Sequence, residues 1–231
     1  IKLKRYGCNF ILKMNIPSKI FAFFLLVALL PLFFIIIICS FIFQGTPIFF
    51  IQERVGFKNS LFNIYKFRTM IKNNSMDRIA GLNDDRITKW GKILRNYKLD
   101  ELPQLINIIK GEMVFVGPRP ELYRYVSRHN DFFQYLDKIR PGITDLSSIL
   151  FRDESKIKSI YFKKDGYYGI LKIKSDLTNF SISNQTFFYN LKIIFITIVT
   201  IFFPIFAIKK LVLPLIATGF PEYYKIFNDF Y

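Results

Sequence analysis

Ile20 to Phe43 reads IFAFFLLVALLPLFFIIIICSFIF, a run of 24 uncharged and mostly apolar positions. At about 1.5 Å per residue, a straight helix of that length reaches roughly 36 Å, enough to cross a hydrocarbon core of about 30 Å. Pro31 sits near the middle of the run. Proline removes one backbone hydrogen bond and clashes one turn back, so it kinks or breaks the helix there. The flanks add a second constraint. Lys2, Lys4, Arg5, Lys13 and Lys19 precede the run without an acidic residue, and Arg54, Lys58, Lys66 and Arg68 follow it. Positive flanks favour the cytoplasmic side for both ends, which one straight span cannot satisfy and a re-entrant hairpin can. The expectation is a re-entrant helix-break-helix broken at Pro31; a single span and a buried soluble helix are the alternatives. A cleaved signal peptide fits poorly, because the run is long and lacks a small-residue cleavage site.

Outward from this run, the 231 residues are 52% hydrophobic and 18% aromatic, with 28 Phe. That excludes a disordered chain. Lys and Arg number 33 against 17 acidic residues, a formal charge of +16. A chain both apolar and basic suits an anionic membrane surface, an anionic substrate, or both. Cys8 and Cys39 are the only cysteines, so no disulfide framework and no Cys/His metal spacing is present. The first residue is Ile1, as expected of a fragment or trimmed chain. A second apolar stretch, Ile193 to Ile208, is interrupted by Pro204; Lys209 and Lys210 follow, then Leu211 to Phe220 with Pro214. It is short for a span and reads first as an interfacial helix, second as another re-entrant or crossing segment. The expected organisation is residues 1–44 as basic flank and membrane helix, 45–190 as catalytic domain, and 191–231 as an apolar membrane-associated tail.

The middle of the chain is punctuated as a folded domain should be. Phe49–Glu53 and Leu61–Thr69 read as strands of a hairpin around Gly56, Asn59 and Ser60. Ile64, Lys66 and Arg68 share one strand face, so two cations either grip an anion together or form a solvated face. Thr88–Tyr97 reads as a short amphipathic helix capped by Asp85 or Thr88, lying on an anionic leaflet or packed on the domain. From Leu102 to Lys110 the apolar spacing is helical, with Asp100 a fair N-cap, Pro103 in the first turn and Gly111 at the end. That gives Asp100 a purely structural reading beside any chemical one. Glu112–Val116 reads as a strand. Pro118 and Pro120 restrict the backbone around Arg119, and a restrained guanidinium loses less entropy on gripping phosphate. Arg140-Pro141-Gly142 is a weaker version of the same arrangement. From Ser147 to Asn190 no chemical constellation stands out, and the lone His129 is assigned no role.

Six phrases together resemble a known family. Pro47-Ile-Phe-Phe-Ile-Gln-Glu-Arg-Val-Gly56, Tyr65-Lys-Phe-Arg-Thr-Met70, Asp85-Arg-Ile-Thr88, Leu99-Asp-Glu-Leu-Pro-Gln104, Val116-Gly-Pro-Arg-Pro-Glu121 and Arg140-Pro-Gly-Ile-Thr144 stand in the order and spacing of bacterial sugar transferases. These are the monotopic phosphoglycosyl transferases. The resemblance covers Lys19 to about Thr144, and Asn190-Leu-Lys-Ile-Ile194 is similar to the family's closing segment more loosely. It implies an α+β fold: a small helical domain with a β-hairpin, anchored by the re-entrant segment and interfacial amphipathic helices. Two positions depart from the pattern: Ala22 stands where an Asp is usual, and Leu30 where a Ser precedes the helix-breaking Pro.

The resemblance further implies transfer of a sugar 1-phosphate from a nucleotide sugar, UDP-linked by family habit, to undecaprenyl phosphate at the bacterial inner membrane, facing the cytoplasm. Such a step initiates surface glycan assembly. Asp100 matches the nucleophile and Glu101 its partner at a Mg²⁺ site; Lys66, Arg68, Arg95, Arg119 and Arg140 are the expected phosphate-binding cations. Adjacent residues do not share a helix face, so the two carboxylates divide the work. The rival readings are a non-catalytic membrane-anchored scaffold, a degenerate family member, and a tethered nucleic-acid binder; no nucleic-acid motif supports the last.

Overall fold

In a computed structural model the described residues are 15–71, 84–162 and 167–231. Lys2, Lys4, Arg5, Lys13 and Cys8 lie outside them. The chain is mostly helical, with two small two-stranded sheets. The apolar run forms α1 (Asn15–Ala28) and α2 (Leu30–Gln44), bent by 60° at the break. Pro31 lies in the first turn of α2 and has no N–H to donate to the Val27 carbonyl. The ladder resumes on both sides: the Leu29 N–H donates to Leu25 O at 3.0 Å and the Phe33 N–H to Leu29 O at 2.9 Å. The break therefore needs no polar side chain at Leu30. No single helix among the described residues is long and apolar enough to cross a membrane; the bent pair together has the length and composition.

The two halves of this pair rest on different parts of the domain. Ala22 of α1 is fully buried in a cluster with Phe62, Ile64, Leu105, Ile108 and Met113. An aspartate there would be desolvated among apolar side chains. On the other side of the bend, Phe33 and Ile36 of α2 pack with Phe67 and Leu94. Leu26 and Leu29 touch both clusters, so packing on both sides holds the bend. The outward faces stay apolar and exposed, as at Phe24, Phe34 and Phe41.

The hairpin is present, β1 (Phe49–Val55) against β2 (Leu61–Phe67), antiparallel from Phe49↔Phe67 to Val55↔Leu61. β1 runs two residues beyond the expected Glu53. β2 ends at Phe67, two residues short of the expected Thr69; past it the Arg68 N–H still donates to Ile48 O at 2.8 Å, while the Arg68 side chain reaches the carbonyls of Gln44 and Gly45 at the end of α2. α3 (Lys89–Asn96) is capped by Thr88, whose Oγ1 accepts from the Gly91 N–H at 2.8 Å. Trp90 and Leu94 pack against α2, while Ile93 and Tyr97 are exposed.

Between Leu99 and Lys110 the expected single capped helix does not form. Leu99–Gln104 is a 3-10 helix entered through a left-handed Lys98, and α4 (Leu105–Lys110) follows. Pro103 lies inside the 3-10 segment, and Asp100 caps nothing. Gly111, at φ 81°, ends α4 as expected. β3 (Val114–Val116) begins two residues after the expected Glu112 and pairs in parallel with β4 (Gly142–Thr144), across α5 (Tyr123–Arg128) and a 3-10 helix at Asn130–Asp137. A Cβ on Gly142 would stand 2.2 Å from the Gly117 backbone nitrogen, so only glycine permits this close approach.

The remainder is helical: α6 (Leu146–Leu150), α7 (Glu154–Tyr161), α8 (Tyr168–Ser183), α9 (Phe187–Phe202), α10 (Pro204–Ala207), a π-turn at Ile208–Val212, α11 (Leu213–Ile216) and α12 (Pro221–Phe230). The second apolar stretch is broken at Phe203, with the expected interrupter Pro204 opening the next helix. Its inner side joins the largest core, where Ile193, Ile196, Val212, Ile216 and Phe227 meet Leu150, Ile157 and Ile170. Its outer side leaves Phe188, Phe195, Phe202 and Phe206 exposed. Phe67, 1% exposed, joins β2 to α2 and α3. Phe67→Ala is expected to cost about 3–5 kcal/mol in denaturant unfolding of the detergent-solubilised protein; a loss under about 1 kcal/mol would contradict this packing.

Candidate functional site

Lys66 at the end of β2, the 3-10 turn and the loop after β3 converge on Glu101. The Glu101 side chain is buried; its Oε1 accepts from Lys66 Nζ at 2.7 Å and from Arg119 Nη2 at 2.9 Å. Its Oε2 lies 4.0 Å from Lys98 Nζ. The neighbouring Asp100 is also buried, and its Oδ1 has no hydrogen-bond partner. A buried carboxylate oxygen without a donor costs free energy that the fold does not recover. Asp145 Oδ2 and Glu154 Oε1 are in the same state; what sets Asp100 apart from the structural reading is that it caps no helix.

The electrostatics of the pair diverge. Burial, then repulsion from Glu101, raises the Asp100 pKa, with Lys66, Lys98 and Arg95 opposing. Burial acts to raise Glu101 as well, but Arg119, Lys66 and Lys98 overcome it and hold that carboxyl well below its usual range. Burial pushes the Lys66 ammonium down to about 8, against the pull of Glu101. Arg119 is driven the other way by Glu101 and stays charged. Lys66, Arg95, Lys98 and Arg119 thus surround two carboxylates, leaving an excess of positive charge. Such a site favours an anionic ligand and attracts it from a distance.

The other expected cations have different placements. Arg95 is held by its Nε donating to Thr69 Oγ1 at 2.8 Å, close enough to influence Asp100 and Glu101. Arg68 does not join Lys66: its guanidinium also donates to Gly45 O at 2.8 Å, and Gln44 Nε2 donates back to Arg68 O at 3.1 Å. Arg140 donates through Nε to Gly111 O at 3.0 Å and lies 4.9 Å from the Phe57 ring centroid, placing its charge at the negative end of α4. Lys98 was not anticipated from sequence. Neither was Asn107, whose Nδ2 donates to Asn63 O and to Glu112 Oε2, both at 2.7 Å, while its Oδ1 accepts from the Tyr65 N–H at 3.2 Å. A polar residue inside the apolar run Leu105-Ile106-Asn107-Ile108-Ile109 was the available signal.

Among the described residues no group of three or more His, Cys, Asp or Glu comes together. Magnesium does not require one, since it is commonly held by one or two carboxylates with substrate phosphates and water completing the shell. The second oxygen of Glu101, 4.0 Å from Lys98 Nζ, fits that donor set as the one protein carboxylate.

Comparison with known proteins gives a consistent result. The profile of the family described as "Bacterial sugar transferase" matches residues 11–204. An Aeromonas hydrophila protein named UDP-N-acetylgalactosamine-undecaprenyl-phosphate N-acetylgalactosaminephosphotransferase is 38% identical, over 53% of this chain and 30% of that relative. The uncharacterized sugar transferase EpsL of Bacillus subtilis is 34% identical, over 67% of this chain and 69% of its own length. Undecaprenyl-phosphate galactose phosphotransferase of Salmonella typhimurium is 36% identical, over 54% of this chain and 30% of that protein. The chain therefore spans under a third of the Aeromonas and Salmonella relatives.

The lowered Lys66 pKa can be tested alone. In a lysine-labelled sample, NMR is expected to show one side chain titrating near pH 8, and Lys66→Arg is expected to remove that transition. Every lysine holding its proton to about pH 10 would contradict the burial described.

Proposed function

The chain belongs to the bacterial sugar transferase family, and we propose that it transfers a sugar 1-phosphate from a UDP-sugar to undecaprenyl phosphate through an aspartyl-phosphosugar intermediate. The observation that carries this reading is the buried Asp100, with an oxygen left unpartnered beside a carboxylate clamped by Lys66 and Arg119. In the first step an Asp100 oxygen attacks the phosphorus that bears the sugar. A P–O bond forms to Asp100, the P–O bond to the nucleotide breaks, and UMP leaves. In the second step an oxygen of the lipid phosphate attacks the same phosphorus and releases the Asp100 carboxylate. Two displacements at one nucleophile replace a direct meeting of two anions. Lys66 and Arg119 compensate charge on the transferring phosphoryl group; Arg95 and Lys98 add to the field that draws the diphosphate in. Mg²⁺, held through Glu101, would neutralise diphosphate charge and polarise the bond to the leaving nucleotide. Arg68 serves by fixing the end of α2 against the site, and Arg140 by fixing the end of α4.

In the same reading, α1 and α2 enter and leave the cytoplasmic leaflet of the inner membrane on one side, with the site at headgroup level. Supporting this are the 60° bend, the exposed apolar faces of both helices and the basic flanks. The tail contributes a second contact with the leaflet. α9 is apolar on its buried side, at Ile193 and Ile196, and on its exposed side, at Phe188, Phe195 and Phe202. A helix apolar on both sides is at home only where something apolar covers the second. Holding the domain against the layer turns the encounter with the lipid phosphate into a local one. The product would initiate assembly of a surface glycan.

Asp100→Asn is expected to lower UMP release from a UDP-sugar by on the order of 10³-fold or more, and Arg119→Ala by about 10²–10³-fold; normal turnover by Asp100→Asn would remove Asp100 as nucleophile. Because only the ionised carboxylate attacks, the rate falls as pH falls through the raised Asp100 pKa. A profile flat to the ordinary carboxylate range contradicts the assignment. For topology, Ser18→Cys and Thr46→Cys, each in a Cys8→Ser/Cys39→Ser background, are expected to react with an impermeant maleimide from the cytoplasmic side alone; labelling from opposite sides would establish a span.

A further inference from the structure

Two residues beyond Arg119 lies a second buried ion cluster that the transfer steps do not use. Glu121 Oε1 accepts from Lys174 Nζ at 3.2 Å, and Glu121 Oε2 is 3.8 Å from Arg54 Nη1. Lys174, on α8, also donates to Glu154 Oε2 at 2.9 Å and to Tyr167 OH at 3.3 Å. The side chains of Lys174 and Glu121 are only 12% and 10% exposed. Burial acts to raise Glu121, but Lys174 and Arg54 hold it below its usual range.

The loop carrying Arg119 is pinned around this cluster. At its start, the Gly117 N–H donates to Thr144 O at 3.0 Å and Pro118 O accepts from the Gly142 N–H at 2.9 Å. At its end, Pro120 O accepts from Arg54 Nη1 at 3.2 Å and Glu121 O from the Val55 N–H at 2.9 Å. Between these points the prolines limit rotation, and the Glu121 side chain extends the anchoring to α8. Desolvating an ion pair is costly, and such pairs add little to net stability. Here the cluster sits behind a guanidinium that must reach Glu101 at 2.9 Å.

We propose that Glu121 and Lys174 are positioning residues for Arg119, holding its loop so that the guanidinium faces the transferring phosphoryl group. This rests on the reading that Arg119 acts on that group. In this proposal both act through Arg119, beside which they line one small cavity; a displacement of the loop by about 1 Å is enough to cost up to 10²-fold in rate.

The test is a double-mutant cycle on UMP release with the full chain in detergent or nanodiscs. Glu121→Gln keeps the side-chain shape and leaves Lys174 paired with Glu154. It is expected to lower kcat about tenfold with KM for the UDP-sugar changed less than about twofold; in an Arg119→Ala background it is expected to cost less than about twofold. Equal losses in both backgrounds, or no loss in either, would overturn the proposal. An Arg119→Ala enzyme with normal turnover would overturn the underlying reading instead, and the proposal with it. If Glu121→Gln does not give folded protein by thermal melting, Lys174→Gln goes through the same cycle with the same expected and overturning patterns.

Discussion

The buried carboxylate of Glu101, shared between Lys66 and Arg119, is the constraint on which the rest of the site depends. It joins β2 to the 3-10 turn across 35 positions of sequence, and the turn to the Pro-Arg-Pro loop across 18. Two charge-assisted bonds of 2.7 and 2.9 Å to a single oxygen offset the cost of burying the charge. The cations are thereby directed at Glu101, and its neighbour is left with an oxygen that no protein donor satisfies. The adjacent carboxylates are displaced in opposite directions, Asp100 upward by burial and Glu101 downward by Arg119 and Lys66, and on the proposed reading that difference divides their roles: Glu101 holds cations in place and Asp100 supplies the attacking oxygen.

The anchoring segment contributes through the same packing. α1 leans on α4 and α2 leans on α3, with β2 contributing Ile64 to one contact and Phe67 to the other. The break at Pro31 is thus tied to the strand that ends in Lys66. Gln44, Arg68 and Thr88 continue the connection: Thr88 Oγ1 donates to Gln44 Oε1 at 2.9 Å while capping α3. The segment that would meet lipid and the side chains that would meet phosphate are therefore parts of one mechanical unit.

Local chemistry made much of this legible. The hairpin followed from alternation around turn residues, the start of α3 from the candidate caps Asp85 and Thr88, of which Thr88 serves, and the end of α4 from Gly111. Asp100, Glu101, Lys66 and Arg119 stood out as spaced phrases, and they are drawn together. What local pattern could not show were the partners of long side chains. Lys66 and Arg68 are two apart on one strand, yet one reaches a carboxylate and the other a helix end. Arg140 looked like Arg119 because a proline follows each, but it lies at the end of α4. Lys174 gave no signal, because its partners Glu121 and Glu154 lie 53 and 20 positions away. The 3-10 turn at Asp100 escaped pattern reading because periodicity cannot separate it from the first turn of an α-helix carrying a proline.

The most direct measurement is chemical trapping. The purified protein is incubated with a UDP-sugar carrying label in the sugar and its attached phosphate, without lipid acceptor, then quenched in acid, digested and mapped by mass spectrometry. The expected result is one phosphosugar on the peptide containing Asp100, discharged when undecaprenyl phosphate is added before the quench. Label on another side chain, or turnover that never leaves label on protein, would contradict the central claim.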